Sequence, residues 1–256
     1  MAKESNISLP PWALFLISAA LFAAGWLMKP FPLPIFFAFA PLFAIADQAR
    51  ENDDFWINTE FILLSLVSCF LAAFAFNFSH IVGVLILAIT FTFSFVIYTF
   101  CFQQLGSRLG KFTILFFWLA TEYILLKLPW RNETIFLADI LILKKEWLNW
   151  TAHTGYLGAT LWILLTNLFL YMTIFKGSFH KGWLALTIIT LIAPPIASYF
   201  VESKAIPRTE MIALYESGKS TLAQYTKQGE LITRTSAWIS VVIILLALVK
   251  NQTAKK

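Results

Sequence analysis

Long apolar runs alternate with short polar segments along almost the whole chain. The runs cover residues 11–28, 31–46, 61–76, 81–102, 112–128, 156–175, 183–201 and 235–249. A helix that crosses about 30 Å of hydrocarbon needs about 17–25 residues. Because the second, third and eighth runs are near or below this limit, we expect them to recruit flanking residues or to lie in a thin bilayer. The pattern predicts an all-α, polytopic transmembrane helical bundle of about eight spans.

The longest polar stretch covers residues 202–234, between the last two runs. It is shorter than the ~50 residues that an independent domain usually needs. We therefore predict no soluble domain and a chain of three parts. These are a seven-span membrane bundle over 1–201, a short extracytoplasmic connector over 202–234, and a final span with a basic tail over 235–256. Within the connector, residues 211–222 are compatible with a short surface helix.

The composition agrees with a membrane protein. Hydrophobic residues make up 59% of the chain and charged residues only 13%, and the mean hydropathy is +0.74. Soluble domains carry ~25% charged residues. The formal net charge of +5 is spread over loops and tail without a dense basic block, so no nucleic-acid partner is expected. The 19 Lys and Arg residues divide almost equally between the two sides, and the short loops and tail slightly favour a cytoplasmic amino end.

Cysteine and histidine patterns give no sign of a metal site or a cofactor. Cys69 and Cys101 both lie within apolar runs. The two cysteines could form a disulfide, but the favoured interpretation is that each is a small buried apolar side chain. Because the Cys and His residues are not clustered, we predict no metal and no cofactor.

Residues 129–155, between the fifth and sixth runs, combine apolar, basic and tryptophan side chains. This mixture fits a segment lying in the lipid headgroup layer. A loop folded over the bundle explains it equally well. The basic side chains could bind phospholipid phosphates through charge-assisted hydrogen bonds, or they could be ordinary solvated charges. The candidates for lipid binding are Arg131, Lys144, Lys145, Trp130, Trp147 and Trp150.

Four further residues are notable because they lie in or beside apolar runs. Glu122 lies inside the fifth run, where an ionisable group costs several kcal/mol unless it is paired or faces water. We favour a structural hydrogen-bonding role for it over a lipid- or proton-handling role. Asn167 is interpreted as an interhelical hydrogen-bonding residue. Gly155 and Gly158 permit a turn and a close helix approach.

Three stretches carry recognisable motifs. Residues 25–47 read GWLMKPFPLPIFFAFAPLFAIAD, residues 118–130 contain a Trp-x-x-x-Glu-Tyr helix running into Leu-Pro-Trp, and residues 150–167 lead through Gly-x-x-Gly into a helix with an Asn. Together they resemble the membrane part of bacterial apolipoprotein N-acyltransferases. Residues 229–239 match that family's last helix in part, with Thr-Ser-Ala-Trp in place of a Tyr-Gly-Asp-Trp-type sequence. The resemblance covers roughly 11–201 and 229–249, and it implies the inner (cytoplasmic) membrane of a bacterium.

The same resemblance draws attention to what residues 202–234 lack. In that family a nitrilase-like α/β domain lies between the seventh and eighth spans and carries a Glu-Lys-Cys set. Its thiolate is acylated by a phospholipid and then attacked by the terminal amine of a lipoprotein. A cysteine nucleophile needs a lowered pKa and a nearby base. Residues 202–234 contain no cysteine, so we predict no catalytic residue in this chain.

These observations leave three functions open. The favoured one is a catalytically truncated relative that binds phospholipid or lipoprotein acyl chains as an accessory or assembly subunit. Its expected partners are membrane lipids, lipoproteins, or a separate catalytic or assembly subunit. The second is an active lipoprotein N-acyltransferase completed by a separately encoded domain. The third is a small transporter, for which Glu122 would be the main intramembrane group.

Overall fold

In the computed structural model, the described residues are 9–28, 31–51, 55–106, 110–176, 179–216 and 230–254. Across these ranges the protein is all-helical, with ten α-helices and no strand. The helices are α1 (Pro11–Leu27), α2 (Ile35–Glu51), α3 (Phe55–Ala73), α4 (Ile81–Leu105), α5 (Thr113–Lys127), α6 (Thr151–Thr154), α7 (Gly158–Ile174), α8 (Lys181–Phe200), α9 (Arg208–Glu216) and α10 (Glu230–Ala254). The predicted all-α class is therefore confirmed for this part of the chain.

Each of the eight predicted apolar runs contains one helix, and the three short runs are lengthened by polar residues. Helix α2 continues to Glu51, α3 begins at Phe55, and α10 extends from Glu230 to Ala254. A helix satisfies its backbone hydrogen bonds internally, so it can continue beyond the apolar sequence. Helix α8 also continues through Pro194 and Pro195.

Among the described residues, three helical segments are long and apolar enough to cross a membrane. They are Phe78–Leu105, Lys181–Phe200 and Leu231–Thr253. Four further apolar helices are shorter, over Pro11–Leu27, Ile35–Gln48, Asn58–Ala73 and Gly158–Ile174. The segment lengths therefore agree with a membrane protein.

Some expectations fall on residues that are not described. The amino-terminal residues 1–8, which were predicted to be cytoplasmic, lie outside the described ranges. Helix α9 begins three residues before the expected surface helix, and residues 217–222 of that helix are not described. The same holds for Gly229 at the start of the motif over residues 229–239.

The chain forms two compact units. The first contains Met1–Ala88 and Trp162–Ile196, and the second contains Ile89–Leu161 and Ala197–Lys256. The described part of the connector and α10 thus belong to the same unit as α5. Within that second unit, α10 packs along α5.

In the first unit, α1, α2 and α3 pack against one another around an aromatic core. The rings of Phe22 and Phe39 meet edge to face at 4.9 Å, and those of Phe36 and Trp162 lie 4.5 Å apart. All four of these side chains are buried. Aromatic pairs of this kind contribute about 0.5–1.5 kcal/mol beyond their buried area.

Asn167 of α7 binds the backbone at the start of α2. Its Oδ1 accepts the N–H groups of Phe39 at 2.8 Å and Ala40 at 3.2 Å. Its Nδ2 donates to the carbonyl of Ile35 at 2.9 Å and to that of Ile163, in its own helix, at 2.8 Å. The side chain is fully buried, and both amide atoms are satisfied. A single residue therefore joins the main chain of two helices.

This contact lies next to a proline within α2. Pro41 has no N–H to donate, so the regular hydrogen-bond ladder of the helix is interrupted there. Asn167 supplies hydrogen bonds to the turn that precedes the interruption. The position of α2 against α7 is consequently fixed by specific polar contacts as well as by packing.

We predict that Asn167→Ala destabilises the protein by about 2 kcal/mol, because buried backbone groups of α2 lose their partner. Reversible unfolding in mixed detergent micelles measures this loss. The control is Thr166→Ala, since the buried Thr166 hydroxyl donates to the Trp162 carbonyl within the same helix. Equal losses in the two variants would contradict an interhelical role for Asn167.

Candidate functional site

Glu122 joins three segments of the second unit. It lies in α5 with no exposed surface. Its Oε1 accepts hydrogen bonds from Trp118 Nε1 at 3.3 Å, the Leu137 N–H at 3.1 Å and Thr160 Oγ1 at 3.2 Å. Trp118 belongs to α5, Leu137 to the following loop and Thr160 to α7. The other carboxylate oxygen of Glu122, Oε2, has no hydrogen-bond partner among the described residues. The contacts describe an acceptor that holds the loop against two helices.

The loop that follows α5 is partly buried in protein and partly exposed. Phe136, Leu137 and Leu141 are buried, whereas Ile142 is 42% and Leu143 57% exposed. The segment before residue 142 therefore matches the folded-loop interpretation. The exposed Ile142–Leu143 pair is the part that could reach a headgroup layer.

Asp139 organises the buried part of this loop, although nothing in the sequence pattern distinguishes it from other loop charges. Its Oδ2 accepts the Phe136 N–H at 2.9 Å and pairs with Arg208 Nη1 at 2.7 Å. Its Oδ1 accepts the Tyr156 hydroxyl at 2.6 Å. Burial raises the pKa of the Asp139 carboxyl, and the Arg208 guanidinium is the strongest of the groups that act against this rise. The ion pair is thus embedded in a network of hydrogen bonds.

Arg208, the first residue of α9, has several contacts besides Asp139. Its guanidinium donates to the carbonyl of Asn132 at 3.0 Å and to that of Thr134, and it lies 5.4 Å from the centre of the Phe136 ring. Only 18% of the Arg208 side chain and 9% of the Asp139 side chain is exposed. Arg208 therefore anchors the connector onto the loop, a role for which the sequence offered only an ordinary loop charge.

The loop and the connector enclose a cavity of about 340 Å³. Its walls combine apolar, polar and charged side chains of the second unit. The lining residues are Ile142, Lys145, Glu146, Leu148, Asn149, Tyr156, Lys204, Ala205, Ile206, Pro207 and Arg208. Ligand pockets commonly measure about 300–1,000 Å³, so this cavity lies at the small end of that range.

Asn149 fixes one wall of this cavity against the other. Its Nδ2 donates to the Ser198 carbonyl at 3.3 Å, and its Oδ1 accepts the Ala205 N–H at 3.4 Å. With Arg208, it ties the connector to the loop at two points. The shape of the cavity therefore depends on hydrogen bonds between segments that are about 50 residues apart in sequence.

The three basic lipid-binding candidates have different surroundings. Lys145 is exposed and lines the cavity. The Lys144 ammonium lies 3.8 Å from the Glu146 carboxylate and 5.4 Å from the centre of the Trp147 ring. Arg131 Nε donates to the Leu128 carbonyl at 3.2 Å, within its own turn. Of the three, only Lys145 lies at the cavity.

The tryptophan candidates lie outside the set of residues that line the cavity. Trp130 is 52% exposed. Trp147 accepts a hydrogen bond at its carbonyl from Trp150 Nε1, at 3.0 Å. The ring of Trp150 also lies close to Gly158, where a Cβ atom would approach it to 3.3 Å. Trp150 is therefore a packing contact at the start of α7.

Gly155 and Gly158 both occupy backbone positions that a side chain would disturb. Gly155 has a φ of 86°, a conformation that favours glycine. A Cβ atom on Gly158 would lie 2.5 Å from Thr154 Oγ1. These two glycines allow the turn between α6 and α7 to be tight.

The described residues contain no group of three or more His, Cys, Asp or Glu side chains arranged to bind a metal ion. Cys69 and Cys101 are free and buried, which agrees with small buried side chains rather than with a disulfide. Comparisons with protein-family models, with curated proteins and with solved structures gave no match for this chain.

We predict that Glu122→Ala lowers the free energy of unfolding by about 2–3 kcal/mol, because the Leu137 N–H and its neighbours lose their acceptor. Glu122→Gln keeps an oxygen acceptor and should cost about 1 kcal/mol or less. Detergent unfolding measures both values.

The matched control for these variants is Glu60→Ala, at an exposed position in α3. Its effect should stay within about 0.5 kcal/mol. If Glu122→Gln were as damaging as Glu122→Ala, the negative charge rather than the acceptor would be the important property.

Arg208→Gln is expected to cost about 3 kcal/mol, since it leaves the Asp139 carboxylate buried without its cation. Hydrogen exchange should rise locally over residues 134–141 and 204–213. Adding Asp139→Asn should recover part of the loss in a double-mutant cycle. Arg131→Gln serves as the control, because the Arg131 side chain donates to the Leu128 carbonyl within its own turn, and its contact with Arg208 is made by its main-chain carbonyl, which the variant keeps. Additive effects of the Arg208 and Asp139 changes would argue against coupling.

Proposed function

We propose that this protein is an eight-span integral membrane protein of a bacterial inner membrane, resembling a catalytically truncated apolipoprotein N-acyltransferase. It binds phospholipid or lipoprotein acyl chains as an accessory or assembly subunit. The observation that carries the proposal is the cavity between the loop and the connector, with its cationic and apolar lining. It lies in the connector region where the related enzymes carry their catalytic domain.

Two contacts within the first unit each require their two residues to lie on the same side of the membrane. The chain between the two residues must therefore cross the membrane an even number of times. Gln48 Nε2 donates to the Leu9 carbonyl at 2.9 Å, and Lys176 Nζ lies 3.6 Å from the Asp47 carboxylate. In an eight-span chain, two spans separate Leu9 from Gln48 and four separate Asp47 from Lys176. Each pair would then lie on one side of the membrane, as its contact requires.

The second unit supports the same alternation. Asp139 and Arg208 are joined by an ion pair at 2.7 Å, and spans six and seven lie between them in sequence. An odd number of crossings would place the two charges on opposite sides. The eight-span arrangement is therefore compatible with every one of these contacts.

Exposed apolar faces also support a membrane location. Along α8, Ile188, Ile189 and Ile192 are 47–59% exposed, and along α10 Trp238 and Leu245 are 62% and 56% exposed. Contiguous apolar surfaces of this kind are rare on soluble monomers. Within a bilayer they would contact acyl chains.

The lining of the cavity favours binding over acyl transfer. None of the lining residues is a cysteine, serine, threonine or histidine. The Tyr156 hydroxyl donates to Asp139, within the ion-pair network. An acyl-enzyme mechanism of the Ser–His or Cys–His type needs a hydroxyl or thiol nucleophile beside a histidine base, and the lining side chains do not supply that pair.

Native mass spectrometry of the gently solubilised protein tests the proposal. We expect adducts with the mass of a phospholipid or of a lipidated polypeptide to remain bound. A protein that retains neither, and that captures no stable partner in pull-downs, would refute it.

The competing function, an active lipoprotein N-acyltransferase completed by a separate domain, predicts a different result. A strain lacking this gene would then accumulate diacylated lipoproteins. If the protein is instead an accessory subunit that is not essential for acylation, mass spectrometry of lipoprotein amino termini in that strain would show an unchanged number of acyl chains.

A further inference from the structure

Two lysines from different segments of the chain line the cavity. Lys145 belongs to the loop and Lys204 to the connector, and both line the cavity and are exposed. Neither has an ion pair with another described residue. The third cation, Arg208, is bound to Asp139, and Glu146 lies 3.8 Å from Lys144. The cavity thus contains two ammonium groups that are not neutralised by a close acidic partner in the described part of the chain.

The backbone that carries these lysines is held in place before any ligand binds. Asn149 bridges Ser198 and Ala205, next to Lys204, and Arg208 is fixed by Asp139. Because both ends of the Lys204 segment are anchored to the loop, little ordering is needed when the two ammonium groups converge on one anion. Preorganisation of this kind increases affinity.

The apolar part of the lining leads towards exposed apolar residues. Leu148, Ile206 and Pro207 line the cavity together with Ile142, and Ile142 continues into the exposed Leu143. An anionic head inside the cavity could therefore be followed by a less polar part along the Ile142–Leu143 pair. The small volume suits a headgroup rather than a complete diacyl lipid.

We propose that Lys145 and Lys204 together bind a phosphate group, carried by a phospholipid headgroup or by a small soluble phosphorylated compound. Lysine ammonium groups are common phosphate ligands in proteins. This assignment rests on the proposed function only if the phosphate belongs to a membrane lipid. It names the part of the ligand that is recognised and the two residues that recognise it.

The test compares the full chain with the double variant Lys145→Gln/Lys204→Gln. Native mass spectrometry measures retention of phosphatidylglycerol and of diacylglycerol with the same acyl chains. Isothermal titration calorimetry in a non-ionic detergent measures binding of glycerol 3-phosphate. The control is Lys181→Gln/Lys250→Gln, which removes the same charge at exposed positions away from the cavity lining.

For a lipid ligand, we expect phosphatidylglycerol retention to fall roughly tenfold for each lysine removed, while diacylglycerol retention and the control stay unchanged. For a soluble ligand, the same loss should appear in the affinity for glycerol 3-phosphate. Lys145→Arg/Lys204→Arg should keep most of the binding, because the charge is preserved. Unfolding midpoints of all variants verify that the fold is intact.

Failure of this inference is distinguishable from failure of the proposed function. If phosphatidylglycerol remains bound equally by the wild type and by Lys145→Gln/Lys204→Gln, the phosphate site is wrong while lipid binding stands. If no phosphate-bearing probe binds the wild type, the site is also wrong. A parallel loss of diacylglycerol would show a general loss of lipid binding and would equally overturn the assignment.

Discussion

Hydrogen bonds from a few buried polar side chains to main-chain atoms hold this apolar chain in a specific arrangement. In lipid, apolar packing alone gives little preference between one helix contact and another, so polar contacts acquire a large influence on the fold. In the first unit Asn167 binds the turn of α2 that precedes Pro41. In the second unit Glu122 binds Leu137 and Thr160. Each contact fixes the relative position of two segments that apolar packing alone would not specify.

The same constraint shapes the candidate site. The loop after α5 carries backbone groups that need partners, and Glu122 and Asp139 accept the N–H groups of Leu137 and Phe136. Once the loop is fixed, Asp139 can receive Arg208, and Asn149 can bind the connector at Ala205. The cavity is the space that remains between these two anchored segments. The backbone around Lys204 is consequently anchored to the loop, and preorganisation of this kind would favour the proposed binding.

The distribution of charge within this region is the reason for proposing binding rather than chemistry. The buried Asp139 carboxylate is already bound to Arg208 and Tyr156. Glu122 of α5 has three donors on one oxygen and no exposed surface. The cavity surface also carries Lys145, Lys204 and Glu146, and Glu146 lies 3.8 Å from the ammonium of Lys144, which is outside the lining.

The sequence by itself determined the helices, since hydrophobic runs in lipid must satisfy their own backbone and only a helix does so within one segment. It also drew attention to Glu122 and Asn167, because polar side chains within apolar runs are conspicuous. It did not reveal Asp139 and Arg208, which are 69 residues apart and resemble ordinary loop charges until the chain folds. The lipid-binding candidates show the same limit of the sequence. Lys145 was a candidate from the composition of its loop, whereas Lys204, which lines the same cavity, was not a lipid-binding candidate. Only the tertiary structure decided which charges meet, because contacts between distant segments leave no periodic signal in the sequence.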